Sequence, residues 1–523
     1  MRAPSRIPLL PVLSLVLMLA SLSAPAPSRA QTAQPDPSPN LPLSADERAL
    51  HVLNRLAYGP APGDLAQIRR EGVKAYIDAQ LNPASIPLPA DLQARLDSLP
   101  SATLTPSQAF VQYGPPSFAA DNASVEEKNR SRQRAARELT PQTHQARIWL
   151  AAQSPRQLQE VMTEFWFNHF NVFEGKGWDR YWIADFENKA IRPNALGNFR
   201  QLLGAVAHHP AMLFYLDNWL SSGVGAPEAR GRFKGLNENY ARELMELHTL
   251  GVDGGYTQSD VVAMARVLSG WTIDVQGMQH GREDAGFVFN PRRHDSGPKV
   301  LLGQTLQMAD GAREGERALD LLAAHPSTAR FISTKLVEYF VSDQPDPALV
   351  DRLARRYQAS GGDIKAVLRE LFDSPQFWDR KNYQSQFKTP YQYVISSLRA
   401  SGTPVRNVKP VDNILYQLGM PLYGWLTPEG YSYAQSVWLN PDALLRRINF
   451  AATLANGRTP IAREAGVAIA ALPPSERPQA PDPRQMLETL GPAFSASALE
   501  QIDAAPHAAQ AGLILGSPGF MKR

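Results

Sequence analysis

Asn239, Arg242, Glu243 and Glu246 are separated by steps of three and four, so on an α-helix they share one face. Two carboxylates three residues apart stand about 5 to 6 Å apart at Cβ. At that distance their repulsion raises one pKa, and Glu243 with Glu246 could serve as acid and base or bind a cation. Arg242 would bind an anion or orient a carboxylate, with Asn239 beside it as a second substrate contact. The same pattern is that of a solvated helix face, on which the Arg242 and Glu246 pair contributes only a few tenths of a kcal/mol. His248 follows in the last turn, where the helix dipole favours an imidazolium, and it is also a candidate metal ligand.

The elements that carry these groups are strongly punctuated. Asn237 can cap a helix running to about Thr249, and Gly251 is the expected left-handed stop. Thr257 and Asp260 then form a capping box ahead of an apolar stripe at Val261, Met264, Ala265 and Leu268, closed by Gly270. Leu236 to Trp271 therefore reads as a helical hairpin with a Gly-rich turn.

Two further constellations could join such a site. Nine aromatic residues crowd the 22 positions from Phe165 to Phe186, in a chain that is 9% aromatic. Trp166, Trp178 and Trp182 from this run could stack on a substrate, and the alternative is a well-filled core. His169 continues the stripe Leu158, Val161, Met162 and Phe165, which suits a hydrogen-bonded core histidine. Glu164, Asn168 and Asn171 on the adjoining face make it a metal-ligand candidate as well. His294-Asp295 is the third group, expected between two short strands, Phe287 to Asn290 and Val300 to Leu302, paired as one hairpin. A loop His beside an acid suits a general base or ligand, although Asp295 with Ser296-Gly297-Pro298 is also ordinary turn chemistry. His208-His209-Pro210 reads as the start of a helix.

Composition narrows the chemistry. Arg2 and Arg6, an apolar run from Ile7 to Leu22 and Ser28-Arg29-Ala30 form a secretory signal over residues 1 to 30, too short and Pro-interrupted to span a bilayer. No later run is long enough to do so, so the mature chain is expected to be exported, periplasmic or extracellular, without a transmembrane segment. The absence of Cys excludes disulfides, Fe–S clusters and c-type haem attachment. Loss of the leader removes three Arg and no acid, leaving 50 basic and 50 acidic residues, a poor balance for binding nucleic acid. No HExxH, GxSxG, Walker loop or dinucleotide fingerprint appears.

Helical periodicity dominates. Residues 31 to 44 are a Pro-rich linker, and order is expected from about Asp46. Long helices are expected over about Asn122 to Leu150 and Pro155 to Phe173. The fold class is mainly α, a large multi-helix body with one small β-hairpin near residues 287 to 302. Residues 45 to 381 are expected to form the main helical domain carrying the candidate site, and 382 to 523 a C-terminal helical lobe, either separate from it or continuous with it. Leu371 to Phe377 and Ile514 to Phe520 echo each other, each ending a helix with Ser-Pro and then presenting a Phe.

Several segments carry a resemblance. NRLAYG from Asn54, FWFNHFNVF from Phe165, HPAMLFYLD from His209, the Asn237 to Trp271 stretch, FVFNPRRHDSGPKVLLG from Phe287, KTPYQYV, TPEGY, Trp438-x-Asn-Pro and the SPGF from Ser517 together resemble the bacterial domain-of-unknown-function 1800 family, over nearly the whole mature chain. The resemblance implies an exported protein, working with an envelope polymer or beside a second exported protein similar to sulfatases or phosphatases. Many members carry a His where this chain has Phe167, so a metal site built on two histidines of that helix is not implied.

The expectation is an exported helical protein with an acidic, His-containing cleft acting on a cell-envelope or extracellular polymer. Glu243, Glu246, His294 and Asp295 would be its acid/base groups. A divalent metal would be held by a subset of His169, Glu243, His248 and His294. The alternative is a non-catalytic binding or assembly protein that uses the aromatic segment as a contact surface.

Overall fold

A computed structural model of the chain describes residues 41–114, 124–306, 311–457, 459–464, 467 and 479–523. The expected signal segment, most of the expected linker from residue 31 to 44 and most of the later Pro-rich stretch from Leu472 to Pro483 lie outside these residues. Helices form where an apolar stripe coincides with a cap. Ser44 and Glu47 close a reciprocal capping box, and the Ala45–Leu56 helix behind it buries Leu50, Leu53 and Leu56. The box at Ser124 and Glu127 starts a 29-residue helix, Val125–Gln153, that continues through Pro141.

The helix that organises the molecule is Gln157–His169. All of its 13 residues except Gln159 are buried, so its polar side chains need partners inside the protein. Glu160 receives Arg192, Glu164 receives the Tyr339 and Tyr433 hydroxyls, and Asn168 exchanges hydrogen bonds with the Tyr431 backbone. Asn171, just beyond, donates to the carbonyls of Trp425 and Thr427. The loop from Trp425 to Tyr431 is thus strapped to the central helix by amide side chains. At Gly430, where φ is +74°, a Cβ would run into the Asn168 carbonyl, so the strap needs glycine.

The hairpin expected around Glu243 is present. Asn237 caps Glu238–Glu246, which ends short of the expected Thr249 and leaves His248 in the following turn; Thr257 and Asp260 cap Gln258–Val267, and Gly251 and Gly270 adopt positive φ a few residues beyond each helix. The strand pairing differs from expectation. Phe287–Phe289 pairs with Trp271–Ile273, while Lys299–Leu301 turns back on Gln304–Leu306, giving two small antiparallel sheets. The second turn places Leu302 and Gly303 at φ of 50° and 74°, a primed hairpin turn with an unusual Leu whose N–H is held by Asp260 at 2.7 Å.

The aromatic run builds core. Trp166 and Trp182 are wholly buried, and their indole N–H groups donate to the carbonyls of Ala195 and Pro106. Trp178 stacks on Phe214 at 4.7 Å and packs on Trp219. Trp166 and Trp182, sunk this way, cannot present ring faces to a polymer, while Trp178 is only partly buried. The hydrophobic cluster they join runs from Ala49 to Met521, drawing residues from both sides of Asn382. The two echoed segments share one device: the N–H groups of Phe377 and Phe520 are received by Ser374 and Ser517 Oγ at 3.2 and 3.1 Å, and both rings are buried. No helix among the described residues is long and apolar enough to cross a membrane.

Candidate functional site

A cleft of about 340 Å³ opens where the central helix, the helical hairpin, the Pro326–Phe340 helix and the 429–434 segment meet. The central helix contributes Phe165, Asn168 and His169, and the hairpin contributes Leu247. Across from them stand Phe331, Lys335 and Glu338, spaced by four and three so that one helix face meets the cleft. Asp343 and the strapped loop, with Glu429, Tyr431 and Tyr433, close the remaining wall.

His169 lies at this cleft with 8% of its surface exposed. Its Nε2–H donates to the His248 carbonyl at 3.1 Å, which fixes the tautomer and leaves Nδ1 as an acceptor without a partner among the described residues. Burial, together with the nearby Lys335 ammonium, pushes its pKa down to about 3, so the ring is neutral at neutral pH. His248 is completely buried and neither of its ring nitrogens has a partner. Burial first, and His169 second, push its pKa far down. Its backbone, rather than its imidazole, serves the site.

The carboxylates arrive from separate elements. Burial raises the pKa of Glu338, opposed by Lys335 and reinforced by Asp343. Glu243, one helical turn before Leu247 and outside the cleft's lining, has its pKa raised by burial, then by Glu246 and Glu429, with Arg242 opposing. The repulsion expected between Glu243 and Glu246 is therefore present but second to desolvation. Glu246 accepts the Tyr256 hydroxyl at 3.0 Å, and Arg242 reaches across to Gln258 at 2.8 Å. Asn239 is exposed on the same helix. Glu429 is oriented by Thr427 Oγ1 at 2.6 Å and Trp425 Nε1 at 3.3 Å. Behind Tyr433, buried Glu164 takes the Tyr339 and Tyr433 hydroxyls at 3.0 and 3.3 Å, and burial raises its pKa against the opposing pull of Arg147.

His294 and Asp295 stand apart from this cleft. The His294 Nδ1–H donates to the Ser269 carbonyl at 2.7 Å, and Nε2 faces Glu314 at 3.3 Å and Lys299 at 3.4 Å. Lys299 and Glu314 are themselves paired at 2.5 Å with almost no exposure. Asp295 accepts a bidentate Arg266 at 2.8 and 3.1 Å, which, against burial, holds its carboxyl below the usual range. These groups lock a loop onto the Gln258–Val267 helix and are not arranged for proton transfer to a ligand. Among the described residues no three His, Asp or Glu side chains group as a metal site would require, so His169, Glu243, His248 and His294 do not assemble one.

Glu338, Lys335, Asp343 and Glu429 escaped the sequence reading, whereas Glu164 was placed on the His169 helix face. The four-and-three spacing of Phe331, Lys335 and Glu338 was the available signal, while Glu429 is marked only by its place in TPEGY. The cleft walls include the FWFNHFNVF and TPEGY segments. No curated protein and no solved structure matches the chain. Residues 51–522 match the family described as protein of unknown function (DUF1800), and the chain belongs to that family.

Proposed function

We propose that this protein is an acid/base enzyme that works outside the cytoplasm, after its leader is removed, on a cell-envelope or extracellular polymer bound across the His169 cleft. The observation that carries the reading is convergence: Glu338 and Glu429 project from different walls onto a cavity that also holds an imidazole nitrogen unpaired among the described residues. Carboxyls that must flank a scissile bond need opposed walls, which one helix face bearing Glu243 and Glu246 does not supply. Glu338, with its raised pKa, is suited to hold a proton for a leaving group. Glu429, oriented by Thr427 and Trp425, is suited to accept one from water, and His169 Nδ1 to receive a substrate hydroxyl. Glu243, outside the lining, adds charge without occupying the centre.

The test is turnover of a panel of purified envelope and extracellular polysaccharides by the mature protein, followed as new reducing ends. We expect activity on at least one, lost by about 100-fold or more in Glu338→Gln while the melting transition is retained. Full activity in that variant, or no turnover of any polymer by wild-type protein, overturns the reading.

A further inference from the structure

Resting on the reading of this cleft as the working site, we propose that its ligand is a glycan whose sugars carry free, protonated amines. The inference starts from an inventory of donors and acceptors. Lys335 is the only cation among the described lining residues, facing Glu338, Asp343 and Glu429, with Glu243 outside the lining. The carboxylates of Glu338 and Glu243 receive no hydrogen bond from any described residue, and His169 Nδ1 is a lone-pair acceptor on a side chain more than nine-tenths buried. The hydroxyl of Tyr433 is turned away, donating to Glu164. A ligand that satisfies this wall must be rich in donors and carry positive charge.

The apolar part of the lining selects among cationic ligands. It is chiefly ring surface, from Phe165, Phe331, Tyr431 and Tyr433, with Leu247 and Ala434 the aliphatic exceptions. Ring faces present a negative quadrupole to an ammonium and a flat surface to a sugar ring. A neutral glycan would supply hydroxyl donors but leave the carboxylates without a counter-charge. A Lys-rich peptide would supply the charge with a flexible aliphatic stem that this wall does not match. Burial raises the pKa of both Glu338 and Glu243, and an ammonium placed beside them supplies the counter-charge that favours their ionised forms.

The experiment is calorimetric titration of the full mature chain with a glucosamine hexamer, its N-acetylated counterpart and hexalysine, at a pH below the sugar amine's pKa and above that of the carboxylates. We expect the free-amine glycan to bind roughly tenfold or more tightly than either comparator, with affinity falling as salt rises. Glu338→Gln should remove most of the preference for the free amine, and Glu243→Gln serves as the second variant should the first fail to fold. Equal or tighter binding of the acetylated glycan, hexalysine matching the sugar, or no binding of any of the three overturns the proposal. Turnover of another polymer with no amine preference would leave the enzymatic reading standing and remove this one. Tight amine-selective binding, without turnover of any polymer in the panel, would do the reverse.

Discussion

His169 and His294 are equally buried, each 8% exposed, and each uses one ring nitrogen to reach a backbone carbonyl. They differ at the other nitrogen. That of His294 is enclosed by Lys299 and Glu314, whereas that of His169 lies beside a cleft. The lesson is that burial and a neighbouring carboxylate do not distinguish a structural histidine from a functional one. What differs between these two is that the second nitrogen of His294 is filled by the protein, while that of His169 has no partner among the described residues and borders a cleft.

The comparison is most sharply tested at Glu314. Glu314→Ala strips the buried Lys299 ammonium of its carboxylate and should destabilise the fold by roughly 3 to 5 kcal/mol in chemical denaturation. Stability unchanged by this variant would break the assignment of the His294 region as a structural lock. A third histidine sharpens the contrast by titration. His144 lies between Asp412 at 3.1 Å and Glu174 at 3.2 Å, and these partners, against burial, raise its pKa to about 9. A group raised in the folded state contributes stability that is complete below its unfolded pKa of 6.5 and is lost as pH rises through about 9. That contribution, on the order of 2 kcal/mol after screening, should be absent from the pH profile of His144→Gln.

His169→Ala should be milder, lowering stability by about 1 to 2 kcal/mol while abolishing ligand binding, so stability and function separate there as they do not at Glu314. The smallest effect has the opposite sign. Glu338→Gln removes a half-buried charge that the fold disfavours and should stabilise the protein by a few tenths of a kcal/mol above the carboxylate range, even as activity disappears. A destabilised Glu338→Gln protein would place that carboxylate among the structural groups with Glu314.

Local signals in the sequence proved legible where local energetics decide. Asn237, Thr257 with Asp260, Gly251 and Gly270 mark helix ends because caps and left-handed stops act within a few residues. Strand pairing was misread because Leu302 adopts positive φ with help from Asp260, a residue on a different element. His169 and His294 look alike as letters, and only the packing of distant helices decides which of them is closed. Glu338 was invisible for the same reason: the spacing of its helix defines a face, but which groove that face meets is a tertiary fact.

The strap between Asn168 and Tyr431 joins residues 263 positions apart. It makes the cleft a late product of chain assembly, since one wall is missing until the loop from Trp425 has been made and docked. A chain halted before residue 425 carries His169 and Glu338 yet lacks the wall opposite them. The protein thereby holds a built-in delay: part of the cleft is synthesised early, and Glu429 together with the remaining wall is supplied by the final fifth of the sequence.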